Sequence, residues 1–148
     1  MKDEDIYGEK KKVRISIKTV QLLDGEEEIT VKKVKGTFAG WEDIYKIEYS
    51  EGGEIGGTTA VDRAGPMVHI KRNHSLFDME FYLEAGFTSE NVYFTPYGEL
   101  NVKTVTEYVE SDMTENGGTL EFRYILYYDD KNSTDITLLI TVSEDKDV

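Results

Sequence analysis

The sequence predicts an all-β protein, an antiparallel meander closed into a barrel of about 8–10 strands. Three observations point there. Apolar residues alternate with polar ones in segment after segment, the period-two spacing of a strand with one covered face. Short turn signals of Gly, Asn, Asp and Pro separate these segments, so each strand returns beside its predecessor. No segment carries a helical periodicity. A meander of many amphipathic strands loses its exposed edges by closing on itself, and aromatic residues, 11% of the chain, supply bulky filling for the interior. At 148 residues the chain suits one domain. Residues 1–11 read as a charged, solvated arm and residues 12–148 as the barrel.

Val13, Ile15 and Ile17 alternate with Arg14, Ser16 and Lys18 in the first strand. Asp24-Gly25 is a hairpin signal, and Ile29 and Val31 share a face of the strand after it. Phe38 follows, then Gly40-Trp41-Glu42-Asp43 turns the chain, and Tyr45, Ile47 and Tyr49 alternate with Lys46 and Glu48. The stretch from Glu51 to Gly57, EGGEIGG, reads as a flexible loop. A shorter pair runs from Thr58 to Arg63 and from Met67 to Arg72, joined across Ala64-Gly65-Pro66. Asn73-His74-Ser75 reads as a turn, after which Phe77, Met79, Phe81 and Leu83 share a face.

The most regular stretch, Asn91 to Glu110, reads as two strands joined at Tyr97-Gly98. Tyr93, Thr95 and Tyr97 fall on one face of the first; Leu100, Val102, Thr104, Thr106 and Tyr108 fall on one face of the second. Pro96 has no N–H to give a ladder, and Gly98 can take a positive φ, so the reversal belongs there. Asn116-Gly117-Gly118 is a further hairpin signal. Leu120, Phe122, Tyr124, Leu126 and Tyr128 form a long inward face. Asp129 to Ser133 turns the chain, and Ile136, Leu138, Ile140 and Val142 complete the pattern. Leu139 breaks the alternation, which predicts cover on both faces of that strand.

Composition narrows the function classes. The net charge is −13. Residues 1–74 hold 13 basic and 14 acidic side chains, whereas residues 75–148 hold 4 and 16. Such a field repels phosphate backbones, so nucleic acid is not an expected partner, and the acidic C-terminal half fits a basic protein partner or plain solubility. There is no cysteine, hence no disulfide, thiolate nucleophile or cysteine metal site. No apolar run approaches the roughly 18 residues of a membrane helix, and the first residues lack the apolar stretch of a signal peptide. The expected location is the cytoplasm, with no membrane association.

The runs VRISIKTVQ, IKRNH, MEFYLEAG and YFTPYGELNVKT resemble the bacterial YwiB-like domain of unknown function. The resemblance covers roughly Val13 to Val142, and its most specific part is Tyr93-x-Thr95-x-Tyr97-Gly98 with Thr104 downstream. It implies a lipocalin-like, calycin-like meander barrel in a bacterial cytoplasm. It implies no established activity, substrate or catalytic residue.

No constellation predicts catalysis. The histidines are His69 and His74, no Gly-x-Ser-x-Gly elbow accompanies them, and Ser75 beside His74 is a turn dipeptide. His69, His74, Asp62 and Glu80 lie on adjoining segments, but their spacing matches no metal motif. Asp130-x-Asn132-x-Thr134 begins like a calcium loop, yet the sixth position is Asp135 and the twelfth Thr141. No phosphate-binding glycine motif is present. No cofactor, metal or catalytic residue is therefore assigned. The candidate ligand-binding residues are Arg63, Arg72, Tyr93, Tyr97, Tyr108 and Tyr124: hydroxyls among rings suit a small amphipathic ligand, and arginines on adjacent strands suit an anionic one. The arginines could equally pair with Glu80 or Asp62. The expected function is a non-enzymatic small-molecule-binding barrel. The alternatives are an interaction module using the acidic half and, at lower weight, an enzyme with carboxylates at the barrel mouth.

Overall fold

The structure, a computed structural model, describes residues 6–23, 25–51, 56–74, 78–129 and 131–145. Ten strands follow one another: β1 (Lys11–Leu23), β2 (Glu26–Trp41), β3 (Ile44–Glu51), β4 (Gly57–Ala64), β5 (Met67–His74), β6 (Asp78–Leu83), β7 (Thr88–Thr95), β8 (Gly98–Thr114), β9 (Gly117–Tyr127) and β10 (Ser133–Glu144). Each pairs antiparallel with its sequence neighbours, and β1 pairs with β10, which closes the barrel. Closure follows from the alternation: most strands have an apolar face to bury, and the ring buries these against one another. Opposite residues of an antiparallel pair point to the same side, so inward pairs recur around the ring: Ile17 opposite Ile140, Leu120 opposite Ile140, Phe38 opposite Ile47, Val61 opposite Ile47, Ile70 opposite Phe81. These side chains form the core.

Strand lengths are unequal. The wall made of β1, the first part of β2, β8, β9 and β10 is long, whereas β3 to β6 span only 6–8 residues each. The barrel therefore has two different ends. At one end the β2–β3 turn is strapped across the opening, where the Glu42 N–H donates to the Met113 carbonyl at 3.1 Å. Phe38 and Tyr45 fill the space below it, their ring centres 5.8 Å apart, and the Tyr45 hydroxyl lies 3.0 Å from Ser111 Oγ. At the other end the β1–β2 hairpin projects past its shorter neighbours. Among the described residues the pairing of β6 with β7 is also brief, Asp78 with Phe94 and Met79 with Tyr93. Asn91 is buried there, its amide donating to Thr104 Oγ1 at 2.7 Å.

Several local readings shift. The expected arm extends to residue 11, but Lys11 already opens β1, and Lys10 reaches Glu48 at 3.2 Å; residues 1–5 lie outside the described residues. Asn73 and His74 end β5 instead of forming a turn. Gly117 and Gly118 are the first residues of β9, so the loop there is Glu115-Asn116, and Asp24, residues 52–55 and Ser75 to Phe77 lie outside the described residues. Tyr128 falls just past β9, exposed. The reversal read at Tyr97-Gly98 falls one residue earlier, at Pro96-Tyr97, with Thr95 opposite Gly98 and Gly98 at φ +118°.

One strand changes face midway. Between Thr106 and Tyr108 the β8 register slips against β9, leaving Glu107 as an extra residue. On the other side of the strand the Gly86 N–H donates to the Thr106 carbonyl, and the Thr106 N–H donates to the Phe87 carbonyl. The β6–β7 turn thus occupies that backbone. Val109 then sits opposite Phe122 inside, and Tyr108 sits opposite Arg123 outside. Tyr108, expected on the inward face, is corrected to the outer wall, where its hydroxyl donates to Glu121 at 3.2 Å.

Candidate functional site

The open end holds an interior cavity of about 160 Å³. Its apolar floor includes Ile17, Val61, Ile70, Phe81 and Ile140, all of them inward-facing strand residues. Tyr49 and Tyr124 add hydroxyls to its walls, and Thr19, Thr30 and Thr59 add more toward the opening. Three charged side chains from β2, β3 and β5 meet at the mouth. Lys32 Nζ donates to Glu51 Oε2 at 2.9 Å, and an Arg72 terminal nitrogen donates to Glu51 Oε1 at 3.0 Å. Two cations share one carboxylate, so the group carries one net positive charge inside a strongly acidic protein.

The Arg72 Nε is buried with no hydrogen-bond partner among the described residues. A buried donor left unmade costs about 1–3 kcal/mol. Thr59 Oγ1 is likewise buried without full hydrogen-bond geometry, although it lies close enough to the Tyr49 hydroxyl to favour the phenolate weakly. Wider hollows exist on the outer surface, such as the one beside Arg14, Lys33 and Lys35. Arg72 and Thr59 both line the interior cavity, and neither lines that hollow. The chemistry of recognition therefore concentrates inside.

Burial raises the pKa of Tyr49, opposed by the nearby Arg72 charge. Burial likewise raises Tyr93, with Tyr124 and Tyr128 adding to it, and raises Tyr124, again opposed by Arg72. All three are neutral hydroxyls at physiological pH, able to donate or accept but not to serve as phenolates.

Of the residues singled out from the sequence, Arg72 and Tyr124 line this cavity together. Tyr93 is inside and adjoins it, packed edge-on against Phe81 at 5.3 Å. Arg63 points inward at the opposite, filled end, where its Nε donates to the Gly65 carbonyl at 2.9 Å. Tyr97 is 100% exposed at the tip of its turn, and Tyr108 is outside; neither reaches the cavity. The arginines do not pair with Asp62 or Glu80. Those two carboxylates flank His69 on the outer wall instead, at 3.3 Å from Nδ1 and 2.7 Å from Nε2. Tyr82 stacks on the imidazole at 4.6 Å and donates its hydroxyl to Glu80. Hydrogen bonds from Tyr82 and then His69 hold Glu80 below the usual carboxylate range, the opposite of what a general acid needs.

Lys32, Glu51, Tyr49 and Thr59 were not among the sequence candidates. Lys32 was legible in principle. Counting back from the hairpin at Gly25 places it opposite Ile17, an inward residue. Glu51 was hidden because it borders a glycine-rich loop.

Among the described residues no helix is long and apolar enough to cross a membrane. No curated protein matches the chain. The fold is similar to that of the ywiB protein from Bacillus subtilis, known from a crystal structure, with a TM-score of 0.84. The two are 19% identical, and the likeness covers 97% of this chain and 98% of that one. At that identity the likeness speaks for the fold alone. A family model described as "Domain of unknown function (DUF1934)" matches residues 15–140, nearly the whole barrel, and the chain therefore belongs to that family.

Proposed function

We propose that the barrel is a non-enzymatic binding protein for a small amphipathic anion, held in the cavity at its open end. The observation that carries this reading is Arg72 at the edge of an apolar recess, its buried Nε without a hydrogen-bond partner among the described residues. A carboxylate there would accept from Arg72 and lie within the field of Lys32, and charge-assisted bonds of this kind are the strong ones. The apolar floor would take the body of the ligand. A cavity of about 150 Å³ suffices for a benzene-sized molecule, so the body is compact: a ring or a short branched chain. The overall charge of −13 opposes the approach of any anion from afar, so affinity rests on local contacts. The charged outer wall, with Arg123 bridging Glu107 and Asp135, supports work in an aqueous compartment.

Calorimetric titration with small aromatic and branched carboxylates, each beside its isosteric amide, tests the proposal. The carboxylates should bind and the amides should bind at least tenfold more weakly. Arg72→Met, which keeps side-chain volume, should abolish the discrimination while leaving the protein folded. Equal binding of acid and amide, or no heat from either, would overturn the reading.

A further inference from the structure

We propose that the chain forms a two-fold symmetric dimer in which the free edge of β2 pairs antiparallel with the same edge of a second copy. β2 pairs with β1 along residues 26–38, but it pairs with β3 only from Gly36 to Trp41. The other edge of residues 26–34 has no backbone partner among the described residues. Residues Glu26 to Lys33 are all exposed, an unbroken run of exposure on both faces of a strand. Ile29 and Val31 are 54% and 57% exposed on the outer face. A long free edge that carries apolar side chains is a template for another strand.

The occupant follows from the charge order, Glu26-Glu27-Glu28-Ile29-Thr30-Val31-Lys32-Lys33. Protection against association would be served by one sign of charge along the edge. This edge instead has an acidic half and a basic half around an apolar centre, which is self-complementary only when two copies run antiparallel. Symmetry narrows the register. In an antiparallel two-fold pair, opposite residues share a face, so only a residue, not the gap between two, can sit on the axis. With Thr30 on the axis, Glu27 faces Lys33, Glu28 faces Lys32 and Ile29 faces Val31, each pair occurring twice. Centring on Ile29 or on Val31 loses this match. Lys32, bonded to Glu51 within one copy, then lies between that carboxylate and Glu28 of the other copy.

Sedimentation of the full chain across a concentration series tests the pairing. Wild type should reach twice the mass of one chain and dissociate more readily as salt rises. K33E sets a carboxylate against Glu27 at both ends of the pair and should weaken the dimer about tenfold or more. E27K should do the same. An equimolar mixture of K33E and E27K should dimerise again, because each copy then supplies the charge that the other needs; a merely misfolded variant could not be rescued this way. Outer-face Glu27 and Lys33 do not line the cavity, so ligand binding is a separate readout. A wild type that stays monomeric, a K33E dimer as tight as wild type, or a mixture that stays monomeric would each overturn the proposal.

Discussion

The two ends of the barrel are built from the same alternating strands and differ in what the inward positions carry. At the filled end those positions hold Phe38, Tyr45, Val68, Leu83 and Leu120, all buried, with turns strapped over them. At the open end they hold Thr19, Thr30, Lys32, Glu51, Thr59 and Arg72. Large apolar groups fill space and expel water; small hydroxyls and long charged stems leave a recess with polar atoms in it. One end is thus a source of stability, and the other gives up packing for a polar, accessible interior. Arginine shows the contrast in one residue type. Arg63 at the filled end caps its own hairpin through Gly65, whereas Arg72 at the open end keeps a buried donor without a partner among the described residues.

The largest expected effect lies at the filled end. Phe38→Ala removes a ring that is 1% exposed and packed on Tyr45, and should cost about 3–5 kcal/mol. Denaturant midpoints measure it. A loss no larger than that of a surface substitution would show that this end is not densely packed.

Two glycines sharpen the comparison. Gly118, near the filled end, has φ +151°, and a Cβ there would run into the Asp112 carbonyl oxygen. Gly118→Ala should therefore cost about 3 kcal/mol or more, since backbone strain and a backbone clash combine. Gly98, at the open end, has φ +118° but open space around it. Gly98→Ala should cost only about 1 kcal/mol, from the strained φ alone. Melts of both variants decide the ranking, and an unchanged midpoint for Gly98→Ala would remove the bend at Pro96-Tyr97 from the account.

The smallest effect is a pH dependence at the open-end turn. The Asp129 carboxylate accepts from the Asn132 side chain and from the Lys131 and Asn132 backbone N–H groups, which lower its pKa. A depressed carboxylate stabilises the fold above its unfolded pKa, and that contribution is lost as pH falls through the lower, folded value. Stability should thus decline on acidification below about pH 4, and Asp129→Asn should flatten that part of the profile. Melting midpoints across the acid range measure the slope; identical slopes would remove Asp129 from it.

Much of this protein was legible in its sequence. Period-two alternation gave the strands and most of their inward faces, and Pro96, Gly98 and Gly25 marked the reversals, because both properties are set by residues a few positions apart. Three features needed the closed ring. Tyr108 keeps the alternation of its own strand and still points outward, because the β8 register slips by one residue against β9 at Glu107. Lys32, Glu51 and Arg72 are remote in sequence and meet only when β2, β3 and β5 curve around one end. Among the described residues β2 keeps a free edge because β3 is half its length. Local periodicity fixes which way a side chain faces, but a cavity, an ion group and an open edge depend on how ten strands of unequal length close, and that is decided by long-range register.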